Sequence, residues 1–197
     1  MKRVFLLLFA VFVILITSTF VNADPVIFNT GVNSSAAVLP DNSVDPHWTI
    51  SPGNPALVQS SISATPPSDT LSAWIRPNSN FGPGSYLAET TFTWPRVETI
   101  TIDGQWAAMV SGLDVRINGV STGATTANPG NTAWTPLHVT GTSIAGTNTL
   151  DFVPFQQSGV GPALRVEITS VTPEPTGAAI IASLAAGALL RRRRAIS

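Results

Sequence analysis

The sequence predicts an all-β domain, either a sandwich or a barrel, between two apolar ends. Three observations lead to this prediction. Residues 24–172 contain no amphipathic pattern of helix length, their apolar residues alternate with polar ones in short runs, and clusters of Gly, Pro, Ser and Asn separate those runs. The 197 residues include no cysteine, which excludes a disulfide scaffold, a thiolate zinc site and a cysteine nucleophile.

The first half of this domain is the less regular half. Residues 48–50 and 56–62 are the predicted strands there. The segments 65–69 and 77–84 are predicted loops, because they are rich in the turn-forming residues Pro, Gly, Ser and Asn.

The second half gives the clearer strands. Each run alternates apolar and polar side chains, and successive side chains of a strand point to opposite faces, so each run has one side to bury. The dipeptide Asn118-Gly119 follows one of these runs and predicts a type I′ hairpin. The predicted strands are 86–94, 99–107, 113–117, 150–155 and 164–171.

The last of these strands shows the alternation plainly. Leu164, Val166 and Ile168 are predicted to face the core. Arg165 and Glu167 lie between them and are predicted to face outward. The pattern therefore indicates one buried side and one solvated side for this strand.

Charge is unevenly distributed along the chain. The formal net charge is −1, but six of the ten basic residues lie at the two extreme ends. Residues 24–172 contain four Arg and no Lys against ten Asp and Glu, which gives this segment a net charge of −6. A nucleic-acid-binding domain needs a basic surface, so the composition argues against a nucleic acid as partner.

The N-terminal residues 1–23 have the parts of a secretory signal peptide. A basic pair at positions 2 and 3 is followed by an unbroken apolar run of 13 residues, and small residues precede a cleavage point between Ala23 and Asp24. Such a run is too short to span a bilayer comfortably, so cleavage by signal peptidase is expected, with an uncleaved anchor as the alternative. The mature protein is then expected to begin at Asp24.

The C-terminal residues 173–197 also have three parts. The triplet Pro173-Glu174-Pro175 is followed by 15 uncharged residues, 176–190, and then by a basic cluster. A helix of that length spans roughly 22 Å, short of the roughly 30 Å hydrocarbon core. Insertion into the inner membrane is still expected, because the arginines can snorkel and hold the cytoplasmic side. The basic cluster comprises Arg191, Arg192, Arg193 and Arg194.

This order of triplet, short span, basic cluster and chain end resembles the PEP-CTERM sorting signal of Gram-negative bacteria. The resemblance implies that exosortase, a membrane-embedded cysteine protease, recognises the signal, removes the tail and passes the protein to the cell surface or the extracellular matrix. It also implies a setting of exopolysaccharide production, as in a biofilm. A plain membrane anchor with its positive charges inside is the alternative for residues 173–197.

Six short segments of the domain follow one another in a distinctive order. They are DPHWTI at 45–50, AWIRPN at 73–78, GSYLAETTF at 84–92, GQWAA at 104–108, DVRINGV at 114–120 and AGTNTLDF at 145–152. This series resembles a galactose-binding-like jelly-roll module that recurs in PEP-CTERM proteins and is similar to the sugar-binding domain of many glycoside hydrolases. The resemblance covers most of residues 40–170 and implies a jelly-roll β-sandwich.

Two details of that module bear on a binding site. Relatives tend to carry Asp-Asn after the GQWAA segment, whereas this chain has Met109-Val110, which argues against a polar site in that loop. Such modules often hold a structural calcium ion bound by carboxylates and backbone carbonyls, so the resemblance makes calcium a candidate cofactor. The candidate donors are Asp24, Asp41, Asp45 and Asp151, none of which lies in an Asp-x-Asp-x-Asp loop.

Residues for catalysis are few and scattered. The two histidines, His47 and His138, are distant in sequence, and no Gly-x-Ser-x-Gly elbow accompanies them. A glycosidase would need two carboxylates about 5–10 Å apart, but solvated strand faces explain such residues better, so we expect no enzyme. The carboxylates on predicted neighbouring strands are Glu89, Glu98, Asp103 and Asp114.

Aromatic residues are the candidates for glycan contact, because sugar C–H faces stack on aromatic rings. Trp106 alternates in phase with the apolar residues of its strand and is predicted to be buried, as are Trp48 and Trp74. Trp134 follows a loop rich in Asn, Pro and Gly and is the candidate for exposure. Packing against the core is the alternative role for Trp134.

Together these features predict an exported, non-catalytic surface or matrix protein that acts in the exopolysaccharide layer. Its tail would anchor it in the membrane before processing. A specific carbohydrate-binding module is the alternative function, and a secreted glycan-active enzyme is the second alternative. The expected domains are a signal peptide at 1–23, a β-sandwich at 24–172 and the sorting signal at 173–197.

Overall fold

A computed structural model describes most of the predicted β domain. The predicted signal cleavage point at Ala23 and Asp24, the residue Pro175, the uncharged span that follows it and the cluster Arg191 to Arg194 lie outside the described residues. None of the described residues belongs to a helix that could cross a bilayer. The described residues are 26–50, 53–59, 66, 68–78, 83–126, 133–157 and 163–174.

The described part of the chain is built from β-strands. They are β1 (Val44–Ile50), β2 (Asn54–Val58), β3 (Ile75–Pro77), β4 (Gly84–Ser85), β5 (Ala88–Trp94), β6 (Thr99–Ala108), β7 (Ser111–Ile117), β8 (Val120–Ser121), β9 (Thr135–Thr142), β10 (Gly146–Gln156) and β11 (Leu164–Pro173).

The strands form a jelly-roll sandwich, as predicted. Their hydrogen-bonded order is β8-β7-β10-β5-β1-β2-β3-β11-β6-β9, with β4 also paired to β10, and the paired strands are antiparallel. We call β8-β7-β10-β5-β1 the first sheet and β3-β11-β6-β9 the second sheet; β2 joins them. The two sheets face each other, because Trp106 of β6 contacts Phe152 of β10 with ring centroids 5.1 Å apart.

The core lies between these sheets and contains two of the three tryptophans predicted to be buried. The third, Trp74, is also buried, but it lies in a separate small cluster. Trp48 and Trp106 are at most 1% exposed, and the ring of Trp48 also packs against Phe152, 5.8 Å between centroids. Leu164 and Val166 of β11 join the same cluster, so the alternation of the last strand is confirmed on its inner side. This shared core makes the sandwich one packed unit.

The hairpin predicted at Asn118-Gly119 is confirmed. Both residues have positive φ angles, 52° and 76°, as a type I′ turn requires. The turn joins β7 to β8 and pairs Ile117 with Val120.

A short N-terminal segment completes the second sheet, which the sequence does not predict. Strand β3 pairs with β11 at a single residue pair, so most of that edge of β11 needs other partners. The amide of Thr30 donates to the carbonyl of Val166 (3.1 Å), and the amide of Val166 donates to Thr30 Oγ1 (3.0 Å). Asn29 Oδ1 accepts from the amide of Ile168 at 2.7 Å. Backbone groups that would otherwise be buried without partners are thereby satisfied.

The register of β6 and β11 defines two ends of the domain. Leu164 lies opposite Ala108, and Pro173 lies opposite Ile100. We call the end at Pro173 the tail end and the end at Ala108 the distal end. The ten residues of β6 separate the two ends by about 30 Å.

Candidate functional site

A buried ion-pair cluster lies on the outer face of the second sheet. Arg165 and Glu167 do point outward from the core, as predicted, but the expectation of a solvated side is wrong. Arg165 is 0% exposed and Glu167 is 5% exposed. The cause is a long-range contact with a covering segment, which comprises residues 66 and 68–74. Its members Pro66, Asp69 and Ser72 bond to Arg165, and Ser72 also bonds to Glu167.

The guanidinium of Arg165 is bonded on several sides. Its Nε donates to Ser72 Oγ at 2.7 Å, and its Nη1 donates to the carbonyl of Pro66 at 3.3 Å. Its Nη2 contacts Asp69 Oδ2 at 2.8 Å and Glu167 Oε1 at 3.0 Å. A buried charge is tolerated only when it is paired and hydrogen-bonded, and Arg165 meets both conditions.

Glu167 is equally well satisfied. Its Oε1 accepts from Ser72 Oγ at 2.7 Å, and its Oε2 accepts from Gln105 Nε2 at 2.6 Å. Ser72 thus accepts from the arginine and donates to the glutamate. The cluster therefore joins β6, β11 and the covering segment into a rigid polar unit.

Trp134 lies on this cluster. The Arg165 Cζ atom is 4.6 Å from the centroid of the Trp134 ring, within cation–π distance. The ring also packs against a small apolar cluster on the same face, and its side chain keeps part of its surface exposed. Trp134 therefore combines both roles considered for it: part of its side chain packs against the protein, and part remains exposed. The members of the apolar cluster are Trp74, Ala107, Ala163 and Met109.

The distal loop between β6 and β7, which contains Met109 and Val110, is apolar. Val110 is 7% exposed, and Met109 packs beside Trp134. The Met109 amide donates to the carbonyl of Ala163 at 2.9 Å, which fixes the loop against β11. Met109 and Val110 thus contribute only apolar contacts. The polar groups near Trp134 are Arg165 of β11 and Asp69 of the covering segment.

Asp69 is the ionised group at the rim of this surface. Partial burial acts to raise the pKa of Asp69, but hydrogen bonds from the Leu71 amide and from Arg165 outweigh it and lower the pKa below the ordinary value of 3.8. The Leu71 amide donates to Oδ1 at 2.8 Å. Half of the Asp69 side chain is exposed, so a carboxylate oxygen remains within reach of a ligand at neutral pH.

A second group of charges crosses the outer face of the first sheet. Asp151 lies directly opposite Glu89 on one neighbouring strand and opposite Arg116 on the other. Asp151 is 4% exposed, and its Oδ1 has no hydrogen-bond partner among the described residues. Burial, followed by the charge and hydrogen bond of Glu89, raises the pKa of Asp151 to about 6. The charge of Arg116 acts to lower the pKa of Asp151 but offsets only part of this rise. The Nε atom of Arg116 is bonded to Asp114 Oδ2 at 2.9 Å.

The four carboxylates considered for catalysis are held by separate partners. Glu98 Oε1 accepts from Trp94 Nε1 at 2.7 Å and from Arg96 at 2.8 Å, and Asp103 Oδ1 contacts His138 Nδ1 at 2.6 Å. Asp114 and Glu89 belong to the group on the other sheet described above. The structure therefore spreads these four carboxylates over both sheets. His47, the other histidine, stacks on Phe28 with ring centroids 3.7 Å apart.

Asp24 lies outside the described residues, and the other three candidate calcium donors are dispersed. Asp45 is 2% exposed and accepts from the amides of Gly31 (2.6 Å) and His47 (2.9 Å), so it ties the N-terminal segment to β1. Asp41 is exposed and accepts from Asn42, while Asp151 lies beside Glu89. Within the described ranges, no three His, Cys, Asp or Glu side chains are grouped so as to hold a metal ion. Calcium stays a prediction from the resemblance.

Comparisons with known proteins find only distant likenesses among solved structures. No protein-family model and no curated protein matches the chain. The CBM35 from Paenibacillus barcinonensis is 17% identical over 64% of this chain and 94% of that one, with a TM-score of 0.40. A family 35 carbohydrate-binding module from Clostridium thermocellum is 13% identical over 75% and 99%, with a TM-score of 0.38. The CBM35 from Cellvibrio japonicus Abf62 is 16% identical over 66% and 99%, with a TM-score of 0.37. At such TM-scores no site residue is transferred to this chain.

Proposed function

We propose that this protein is a non-catalytic carbohydrate-binding module that holds a glycan against Trp134, near the distal end of the sandwich. The observation that carries the proposal is the contact of the Trp134 ring with the guanidinium of Arg165, 4.6 Å from the ring centroid. Arg165 is fully buried, so the ring rests on a fixed support while part of the side chain stays exposed. A fixed aromatic surface of this kind suits stacking against the C–H face of a sugar ring.

Preorganisation favours this use of Trp134. An unrestrained surface side chain loses rotamer freedom when a ligand orders it, at a cost of about 0.5–1.5 kcal/mol. Packing against Trp74 and Ala163, together with the contact to Arg165, already removes that freedom in the free protein. More of the stacking energy is therefore available for binding.

Asp69 supplies a hydrogen-bond acceptor next to the same surface. Its carboxylate bonds the guanidinium on which Trp134 lies, and 50% of its side chain is exposed. Carboxylate oxygens accept hydrogen bonds from hydroxyl groups, which a sugar offers at several positions. Because the guanidinium of Arg165 is already paired with Asp69 and Glu167, the site favours a neutral glycan over an acidic one.

A binding screen tests this proposal. The domain comprising residues 24–174 is applied to a glycan array and to the exopolysaccharide of the native host, with calcium and with a chelator. We expect saturable binding to a neutral glycan that Trp134→Ala abolishes and Val120→Ala, at the other end of the domain, preserves. A folded wild-type domain that binds none of these glycans would contradict the proposal, and loss of binding in the chelator would support the calcium prediction.

We propose further that the protein is exported and sorted by exosortase to the cell surface or matrix, where it acts in the exopolysaccharide layer. The observation that favours this second function is that β11 continues through Pro173, the first residue of the triplet. The amide of Glu174 then donates to the carbonyl of Thr99 at 3.0 Å. The triplet therefore begins at the last residue of β11.

Processing in the native host tests the sorting function. Replacing Pro173, Glu174 and Pro175 by alanine is expected to leave the tail uncut, which raises the mass of the mature protein and retains it in the membrane. A matched triple replacement of Thr91, Thr93 and Thr147, which are exposed on the first sheet, should leave processing unchanged. Unchanged mature mass and location in the triplet variant would contradict sorting through this signal.

A further inference from the structure

Three turns meet at the tail end of the domain. They join β5 to β6, β7 to β8, and β9 to β10. Ser143, which is fully buried, holds the first and third together: its amide donates to the carbonyl of Glu98 at 2.9 Å, and its Oγ donates to the carbonyl of Arg96 at 3.0 Å. Two turns that are distant in sequence are thereby fixed side by side.

Asn148 connects the turn between β7 and β8 to the other two turns. It is also fully buried, and its Oδ1 accepts from the amide of Ile144 at 2.7 Å and from Asn118 Nδ2 at 2.8 Å. Asn118 Nδ2 also donates to the carbonyl of Thr142 at 3.0 Å. The three turns therefore form one rigid surface, and the positions of their exposed side chains are set by buried hydrogen bonds.

Each of these turns has an exposed aliphatic side chain in it or, for Val120 at the start of β8, directly after it. Val97 is 67% exposed, Val120 is 70% exposed and Ile144 is 48% exposed. We call these three residues the apolar tips. Single exposed aliphatic residues are ordinary on protein surfaces. These three lie on turns that buried hydrogen bonds hold together at one end of the domain, which makes this end a candidate interaction surface.

The surroundings of the apolar tips carry little net charge. Arg96 and Glu98 form an ion pair, with Arg96 Nε 2.8 Å from Glu98 Oε1. Glu174 contacts Thr101, whose Oγ1 lies 3.4 Å from Glu174 Oε1. The other residues of these turns carry no charge, so an apolar partner meets a low desolvation cost here. They are Pro95, Asn118, Gly119, Ser143 and Ala145.

The chain leaves the domain at this same end. The amide of Glu174 is bonded to Thr99, the first residue of β6, so the backbone is fixed as far as Glu174. In the sequence only Pro175 separates Glu174 from the uncharged span of 15 residues and the four arginines that follow. One residue bridges at most about 3.6 Å, so a tail inserted in a membrane would keep the tail end at the membrane surface.

We propose that the apolar tips Val97, Val120 and Ile144 form a membrane-contacting surface, which rests on the lipid bilayer interface while the tail is anchored. The proposal rests on the second proposed function, in which residues 173–197 enter the membrane before processing. Aliphatic side chains on turn tips gain free energy when they enter the interface, and the rigid turns lose little freedom in doing so. Trp134 and Asp69 then lie far from the bilayer, since they are placed toward the distal end.

The absence of cysteine from the chain allows a direct test. Single cysteines are introduced as Val97→Cys, Val120→Cys and Ile144→Cys, and each is labelled with an environment-sensitive fluorophore. Leu113→Cys is the matched control, because Leu113 is 47% exposed, close to the 48% of Ile144, and lies near the distal end of β7. Ser183→Cys, within the uncharged span, reports whether the tail itself inserts.

The full chain, exported in a bacterial host and purified with its tail intact, is reconstituted in vesicles of phosphatidylethanolamine and phosphatidylglycerol. We expect nitroxide-labelled lipid to quench the labels at the three apolar tips and to leave the label at position 113 unaffected. Tip labels as unquenched as the control would overturn the proposal. If the tip labels are unquenched while the label at position 183 is quenched, the membrane surface is wrong and the anchored tail stands; if both are unquenched, both fail.

Discussion

The guanidinium of Arg165 lies against the ring of Trp134, with Cζ 4.6 Å from the ring centroid, although Arg165 is completely buried and Trp134 is partly exposed. This contact connects an internal ion-pair network to the protein surface. The network holds the arginine, and the arginine supports the aromatic ring. Substitutions in the network should therefore change both the stability of the fold and any binding at Trp134.

Replacing the arginine should destabilise the domain strongly. Arg165→Met keeps much of the side-chain volume but leaves the buried carboxylate of Glu167 without its cation, so we expect a loss of about 3–5 kcal/mol in the free energy of unfolding. Urea unfolding followed by tryptophan fluorescence measures this loss. The double variant Arg165→Met/Glu167→Met removes both charges and should be more stable than Arg165→Met alone. A double variant whose loss equals the sum of the two single losses would show that the pair is not coupled.

The paired carboxylates on the first sheet should make stability depend on pH. The pKa of Asp151 is raised from 3.8 to about 6, so the folded state binds more protons than the unfolded state between those values. The stabilising contribution of protonated Asp151 is thus complete below about pH 4 and is lost as the pH rises through 6. We expect Asp151→Asn to be the more stable protein at pH 7 by roughly 2 kcal/mol, with the difference vanishing near pH 4.

Thermal unfolding between pH 4 and pH 8 checks this prediction. Burial also raises the pKa of Asp45 to about 6, so the difference between wild type and Asp151→Asn, and not the wild-type curve alone, isolates Asp151. Glu89→Gln should move the transition to lower pH, because it removes the neighbouring charge that helps to raise the pKa of Asp151. A difference that is constant across the pH range would count against the coupled pair.

Gly104 should tolerate no side chain. A Cβ atom at this position would lie against the carbonyl oxygen of Glu167 on the neighbouring strand, where backbone cannot give way cheaply. We expect Gly104→Ala to cost about 2–3 kcal/mol in stability. Gly53→Ala is the control, since its φ of +68° adds strain of about 1–2 kcal/mol but no atom lies within 4 Å of the new Cβ. Equal losses in the two variants would remove the steric explanation.

The sequence predicts the strands better than it predicts what covers them. Alternation places Leu164 and Val166 in the core and Arg165 on the opposite side, because this pattern depends only on the pleat of one strand. Alternation cannot show that Pro66 and Ser72 cover Arg165, since those contacts join residues more than 90 positions apart. The sequence does contain one hint of the buried ion pair. Two opposite charges, Arg165 and Glu167, lie on the same side of an otherwise apolar strand.

Contacts between distant segments are also missing from the sequence prediction in the first sheet and in the N-terminal segment. Glu89 and Asp151 are both nominated from the sequence, one as a carboxylate on a strand face and one as a calcium donor. Only the register of β5 and β10 places them opposite each other. Thr30, which pairs with Val166, carries no strand pattern of its own because it supplies only a short stretch of ladder. Pairing between distant segments is set by tertiary packing, which periodicity does not encode.

Calorimetric titration of the domain with the glycan that binds it most tightly in the screen tests whether Trp134 is the binding surface. Wild type, Trp134→Phe and Trp134→Ala are compared, with thermal unfolding as the check that each is folded. We expect a modest loss of affinity for Trp134→Phe, which keeps an aromatic face, and a loss of at least tenfold, about 1.4 kcal/mol, for Trp134→Ala. Undiminished affinity in a folded Trp134→Ala variant would contradict the claim that this ring is the binding surface.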